Sequence, residues 1–141
     1  MRFASLGSGS EGNALLISAS SGSTTIMLDC GFGLKETERR LQRLQCDPSS
    51  LAGILVTHEH SDHVGGVFKL ARRYAIPVWI SYGTLQAVIT QSDGVDIRLC
   101  RDNESFTIGE LTLQPYTVPH DAREPLQFVA SDGIRRLGVL T

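Results

Sequence analysis

Ile54-Leu55-Val56-Thr57-His58-Glu59-His60-Ser61-Asp62-His63 is the stretch on which the fold of this 141-residue chain turns. It sets three of the protein's four histidines and two carboxylates directly behind an apolar run. A short β-branched and aliphatic run reads as a buried strand. Side chains at alternate positions of a strand exit point the same way, so His58 and His60 can share one metal ion while Glu59 points away from it. Asp62 and His63 fall where the chain turns into a helix expected over Val64 to Tyr74, and they address a second position close to the first. Neutral imidazole and carboxylate are ligands that zinc, manganese and iron accept. A single histidine on an apolar edge is ordinarily a hydrogen-bonded core residue, but that reading does not account for His-x-His-x-Asp-His at a strand exit.

Working outward toward the N-terminus, Phe3 to Leu6 and Ala14 to Ser18 read as strands joined by Gly7-Ser8-Gly9-Ser10-Glu11-Gly12-Asn13. That loop contains a formal G-x-G-x-x-G, with Asp29 following near the distance of a dinucleotide fingerprint. The context excludes the fingerprint, because the motif must open a helix and too few residues precede the Ser20-Ser21-Gly22-Ser23 turn for a crossover of about a dozen. A β-hairpin is the reading. Its glycine loop is either a small-residue turn or a nest of backbone N–H groups for an anion. Thr25 to Leu28 is a further strand, ended by Asp29-Cys30-Gly31, where an aspartate can form a turn or cap a helix. Leu34 to Gln45 has the apolar spacing of a surface amphipathic helix, with Leu34, Leu41 and Leu44 on its inner side. Arg39, Arg40 and Arg43 lie on one side of it, as a solvated face or a contact for a nucleic-acid backbone.

Toward the C-terminus, Ile76 to Ile80 reads as a strand, Gly83 to Gln91 as a short helix and Val95 to Leu99 as another strand, an alternation that points to α/β layers. The last third is β-rich. Ser105 to Ile108 and Leu111 to Gln114 form a hairpin, the second strand of which runs on to Val118 and delivers His120. A His-Asp pair after proline is commonly a surface turn, yet His120 is the one histidine left to complete a three-imidazole set. Asp121 orients it or faces the substrate. Leu126 to Ser131 and Ile134 to Thr141 flank Asp132-Gly133, a hairpin signal.

Composition narrows the function classes. With 41% hydrophobic residues the chain can form one compact domain over residues 1–141. A net charge of −2 gives no global attraction to nucleic acid or an anionic membrane, so any phosphate recognition must be local. Eleven arginines against two lysines favour planar, bidentate contacts, or simply a solvated surface. Cys30, Cys46 and Cys100 are an odd number without C-x-x-C spacing, so no disulfide framework is expected. No run approaches the ~20 apolar residues of a membrane helix, and a soluble, cytoplasmic protein without a membrane partner is expected.

His58-Glu59-His60-Ser61-Asp62-His63, after its apolar strand and before Val64-Gly65-Gly66, resembles the HxHxDH signature of the metallo-β-lactamase fold superfamily. GSGSEGNA, Asp29-Cys30-Gly31 and the VPHDAREP around His120 extend the likeness to its YycJ/WalJ-like branch of bacterial exonucleases. The resemblance implies an α/β fold of the αββα sandwich type, of which this chain supplies roughly the N-terminal half, as one sheet with an inner face left to be covered by a second half, another chain or a domain-swapped copy. It implies two divalent metal ions, zinc or manganese. His58, His60 and His120 would hold one in a complete His₃ site with an open fourth position, and Asp62 and His63 would hold the other. Asp29 would support the histidine loop from behind and Asp62 would also act in catalysis. The family's bridging aspartate and a later histidine are not in this sequence, and the implied truncation falls one residue before that aspartate.

The function expected is metal-dependent hydrolysis of a phosphodiester in DNA or RNA, with nucleic acid as the partner. Two other readings stay open: a thioesterase or lactonase, since the same metal pair attacks acyl carbons, and a non-catalytic metal-binding fragment lacking the bridging aspartate. The substrate-binding residues are not legible.

Overall fold

A computed structural model describes residues Met1–Thr141. Six strands, β1 (Arg2–Gly7), β2 (Ala14–Ser18), β3 (Thr25–Leu28), β4 (Gly53–Leu55), β5 (Val78–Ile80) and β6 (Ile97–Leu99), form a sheet in chain order. β1 to β3 pair antiparallel, as the short loops of a meander require, and β3 to β6 pair parallel. Parallel neighbours need crossovers. These are α1 (Leu34–Arg43), the pair α2 (Ser61–Val64) and α3 (Val67–Tyr74), and α4 (Tyr82–Val88). The glycine loop joins β1 to β2 as a hairpin, in agreement with the reading that rejected a dinucleotide fold.

The apolar runs are continuous because both faces of this sheet are covered. Met27, Ile54, Val56, Val78 and Ile80 pack beneath the helices with Leu41, Val67, Phe68, Leu70 and Leu85. Their neighbours in the pleat, Ile26, Leu28, Leu55 and Trp79, face the other way. There they meet Leu111, Leu113, Phe128 and Ala130 of a second, antiparallel sheet ordered β10-β9-β8-β7, built from β7 (Phe106–Ile108), β8 (Leu111–Thr117), β9 (Leu126–Ser131) and β10 (Arg136–Val139). Each such fully buried side chain contributes about 1.5–3 kcal/mol relative to exposure.

This corrects the expectation of one sheet with a bare inner face. The β-rich last third folds back across the first sheet, and the two hairpins β7–β8 and β9–β10 join through β8 and β9. The inner face is therefore buried from within the chain and gives no reason for a swapped copy. The chain has three layers, helices, sheet and sheet. The outer face of the second sheet presents Thr112, Gln114 and Arg136 to solvent.

Smaller differences have local causes. The helix expected from Val64 begins at Ser61 and breaks at Gly65-Gly66. The carbonyl of Asp62, which Gly66 would bond in a continuous helix, accepts from Asn13 N–H at 2.7 Å, and Gly66 N–H donates instead to Cys30 O at 2.7 Å. β5 begins at Val78 because Ile76 N–H closes the end of α3 on Ala71 O, after Ala75 turns left-handed at φ 54. α1 stops at Arg43 and Leu44 is 45% exposed rather than on the inner face. The Asp132-Gly133 hairpin closes with a four-residue loop, since Ser131 pairs with Arg136. No helix is long and apolar enough to cross a membrane.

Cys30 and Cys100 are buried, and burial pushes their thiols up to about 11 and about 12, while Cys46 is half-buried. A thiol reacts as its thiolate and only when reached. Titration of the native protein with a disulfide-exchange reagent should therefore give a single fast thiol, lost in Cys46→Ser. Rapid reaction of all three would contradict this packing.

Candidate metal centre

The histidine motif leaves β4 through Val56 and Thr57, both fully buried. Asp29, at the end of the neighbouring strand β3, takes a left-handed conformation at φ 56, which Asp tolerates better than most residues. Its buried carboxylate turns toward the motif. Oδ1 accepts Thr57 N–H at 2.8 Å, and Oδ2 accepts the Thr57 hydroxyl at 2.7 Å and His63 Nδ1–H at 2.8 Å. Thr57 Oγ1, its proton given to Asp29, accepts in turn from His58 Nδ1–H at 2.8 Å. One carboxylate thus fixes the tautomer of two rings and turns Nε2 of each toward the cleft, which is how a carboxylate behind a metal-binding imidazole acts.

His58, His60 and His120 converge, with one ligand nitrogen from each within 4.8 Å of the others. His58 Nε2 and His60 Nδ1 are 3.1 Å apart, and the His58 and His120 ring centres 4.4 Å. Tetrahedral nitrogen ligands about 2.0–2.1 Å from a zinc ion stand roughly 3.3 Å from each other. The first pair already has that spacing to within a few tenths of an ångström, so the donor set fits a divalent ion. The other nitrogens are committed. His60 Nε2–H points at the Asp121 carbonyl at 3.2 Å, and His120 Nδ1 lies 2.6 Å from Asp121 Oδ1, so Asp121 orients both rings. Burial, and then the neighbouring His63, His120 and His60, lower the pKa of His58 to about 4, so the ring is neutral and its lone pair available at physiological pH.

Asp62 and His63 lie on the first turn of α2, beside this trio. The His58 and His63 ring centres are 4.2 Å apart, and His63 Nε2 stands 3.5 Å from Asp62 Oδ2. Burial pulls the His63 pKa down, but the hydrogen bond and charge of Asp29, helped by Asp62, hold it above its ordinary value with the proton on Nδ1. His58, His60, His63, His120 and Asp62 thus lie side by side, with the Asp29 carboxylate behind them.

Two residues were missed. Thr57 relays the Asp29 carboxylate to His58. Asn13, from the glycine loop, donates Nδ2–H to Asp62 Oδ2 at 3.0 Å and lies 3.2 Å from His63 Nε2, while its Oδ1 accepts Gly9 N–H at 2.9 Å. A polar residue closing an apolar strand, and an amide at the end of a glycine loop, were the available signals. Of the helix arginines, Arg39 and Arg40 are paired with Glu36, and Arg40 lies 4.0 Å over the Phe32 ring and donates to Leu6 O. Arg40 thus fastens α1 to β1.

Three comparisons bear on this site. Residues 7–126 match the metallo-beta-lactamase superfamily. The exodeoxyribonuclease YycJ of Bacillus anthracis is 32% identical across the whole chain and 54% of its own length, and the exodeoxyribonuclease WalJ of Streptococcus pneumoniae is 30% identical over 88% of the chain and 47% of its own. The chain spans about half the length of the curated relatives it matches. Among solved structures, a B3 metallo-beta-lactamase with an active-site glutamic acid superposes on 97% of the chain and 57% of its own, with a TM-score of 0.75 at 20% identity. With the α/β/β layering, the histidine cluster at the strand ends and a family match over most of its residues, the chain belongs to the metallo-β-lactamase superfamily.

Proposed function

We propose that this chain carries part of the active site of a metal-dependent hydrolase that cleaves phosphodiester bonds in DNA, working from strand ends. The observation that carries the reading is the convergence of His58 Nε2, His60 Nδ1 and His120 beside the Asp62–His63 pair. The likeness of the whole chain to about half of an exodeoxyribonuclease supports the choice of substrate. His58, His60 and His120 would hold one zinc or manganese ion, and Asp62 and His63 would contribute to a second. Divalent cations held there supply Lewis acidity, polarising a phosphoryl oxygen and acidifying water. Asp29 and Thr57 keep the protons of His63 and His58 on Nδ1, away from the cleft. Asp62 turns Oδ2 toward His63 and Asn13, which leaves Oδ1 to orient the attacking water.

The test is release of terminal nucleotides from end-labelled DNA by the zinc- or manganese-loaded protein, with a thioester and His58→Ala run alongside. Nucleotide release that is lost in His58→Ala supports the proposal. Thioester hydrolysis with intact DNA would move the site to acyl substrates. Neither activity in metal-loaded protein would overturn the hydrolase reading for this chain.

A further inference from the structure

The loop that presents His120, between β8 and β9, is solvent-exposed at His120 and Asp121, and the His120 side chain is 24% exposed. A loop so placed needs fastening before its imidazole can meet His58 and His60. Glu59, the residue between those two histidines, points away from them as strand alternation requires, and its carboxylate reaches this loop. Glu59 Oε1 accepts the backbone N–H of Arg123 at 2.8 Å, and Oε2 lies 3.5 Å from the Thr84 hydroxyl at the start of α4. The far side of the loop is fastened to the same helix. The Glu124 carbonyl accepts the hydroxyls of Ser81 at 2.7 Å and Thr84 at 3.2 Å, and Glu124 Oε2 accepts Gly83 N–H at 2.6 Å.

We infer that Glu59 is a positioning residue that completes the metal centre without touching it, by clamping the Arg123 backbone and so holding His120 within reach of His58 and His60. Pre-orientation is the source of the effect. With the clamp in place, binding an ion costs little ordering of the His120 loop; without it, that ordering is charged against affinity. Groups one step behind the ligands typically change metal affinity by about 10–100-fold when removed. The inference rests on the reading of His58, His60 and His120 as one metal site, and the test separates the two.

Zinc affinity is measured by competition with a chromophoric chelator, and ligand number by the visible absorption of the cobalt-substituted protein, for the unaltered chain, Glu59→Ala and Glu59→Gln. The glutamine keeps a carbonyl oxygen to accept Arg123 N–H, so it should stay within about 3-fold of the unaltered chain, whereas alanine should weaken zinc about 10–100-fold and alter the cobalt spectrum toward fewer nitrogen ligands. A merely structural carboxylate would lower the urea midpoint without this split. Should Glu59→Ala not fold, Glu124→Ala, which removes the carboxylate contact to Gly83 on the other side of the loop, must weaken zinc in the same direction. If the unaltered chain binds no zinc, the metal-site reading falls. If it binds and Glu59→Ala binds equally well with the same spectrum, the inference is overturned.

Discussion

Gly31→Ala should destabilise the protein by about 3 kcal/mol or more, read as a lowered urea midpoint, because overpacking against fixed backbone costs about 1–3 kcal/mol and the contacts it displaces add to that. A Cβ at residue 31 would stand 1.8 Å from the carbonyl oxygen of Asp62 and 2.3 Å from its carbon. That carbonyl cannot simply retreat. It accepts the backbone N–H of Asn13 at 2.7 Å and lies 3.2 Å from the Asn13 side-chain amide. On the same crossing, Cys30 N–H donates to His63 O at 2.7 Å and Gly66 approaches the Phe32 carbonyl so closely that a Cβ there would lie 1.9 Å away. The segment after β3 and the turn carrying Asp62 and His63 are therefore two backbones in direct contact. Metal affinity should fall together with stability. A midpoint within about 0.5 kcal/mol of the parent, the range of an ordinary surface change, would show that the two segments are not packed this way.

Replacing Asp29 separates stability from metal binding. Asp29→Ala leaves Thr57 N–H, the Thr57 hydroxyl and His63 Nδ1–H without their buried acceptor. An unsatisfied buried donor costs about 1–3 kcal/mol, so the loss should be several kcal/mol. Asp29→Asn is the sharper experiment. Its oxygen can still accept Thr57 N–H, but its amide presents protons to the Thr57 hydroxyl and to His63 Nδ1. The ring then favours the tautomer with its proton on Nε2, the nitrogen 3.5 Å from Asp62 Oδ2. Stability should fall less than in Asp29→Ala, whereas affinity for a second divalent ion should drop about 10–100-fold. Equal metal affinity in Asp29→Asn and the parent would show that this carboxylate does not set the tautomer.

The parts legible in the sequence were those written in local spacing. The placing of Glu59 opposite His58 and His60 follows from a period of two, and the run-on from β8 to His120 and the bounds of β2, β3 and β9 follow from short apolar runs closed by turn residues. Sheet-on-sheet packing did not, because nothing in the last third states which face it will cover. That choice is made only when Leu113 and Phe128 meet Leu55 and Trp79. The break of the helix at Gly65-Gly66 depends on Asn13, 49 residues from Asp62 in sequence. Glu59 was read correctly as facing away from the histidines, but its partner Arg123 lies 64 residues on, beyond any pattern a local reading can weigh. Residues that would touch the ion were thus visible from composition, and those that hold them in place were not.

The central claim is that three imidazoles from two distant segments form one metal site. It is tested most directly by the metal content of the purified chain, dialysed against trace zinc and compared with His120→Ala. About one tightly held ion per chain is expected, as a His₃ set with an open fourth position binds, with its loss on His120→Ala and the urea midpoint of the metal-free protein unchanged. No tightly held ion in the parent chain, or the same ion retained by His120→Ala, would contradict it.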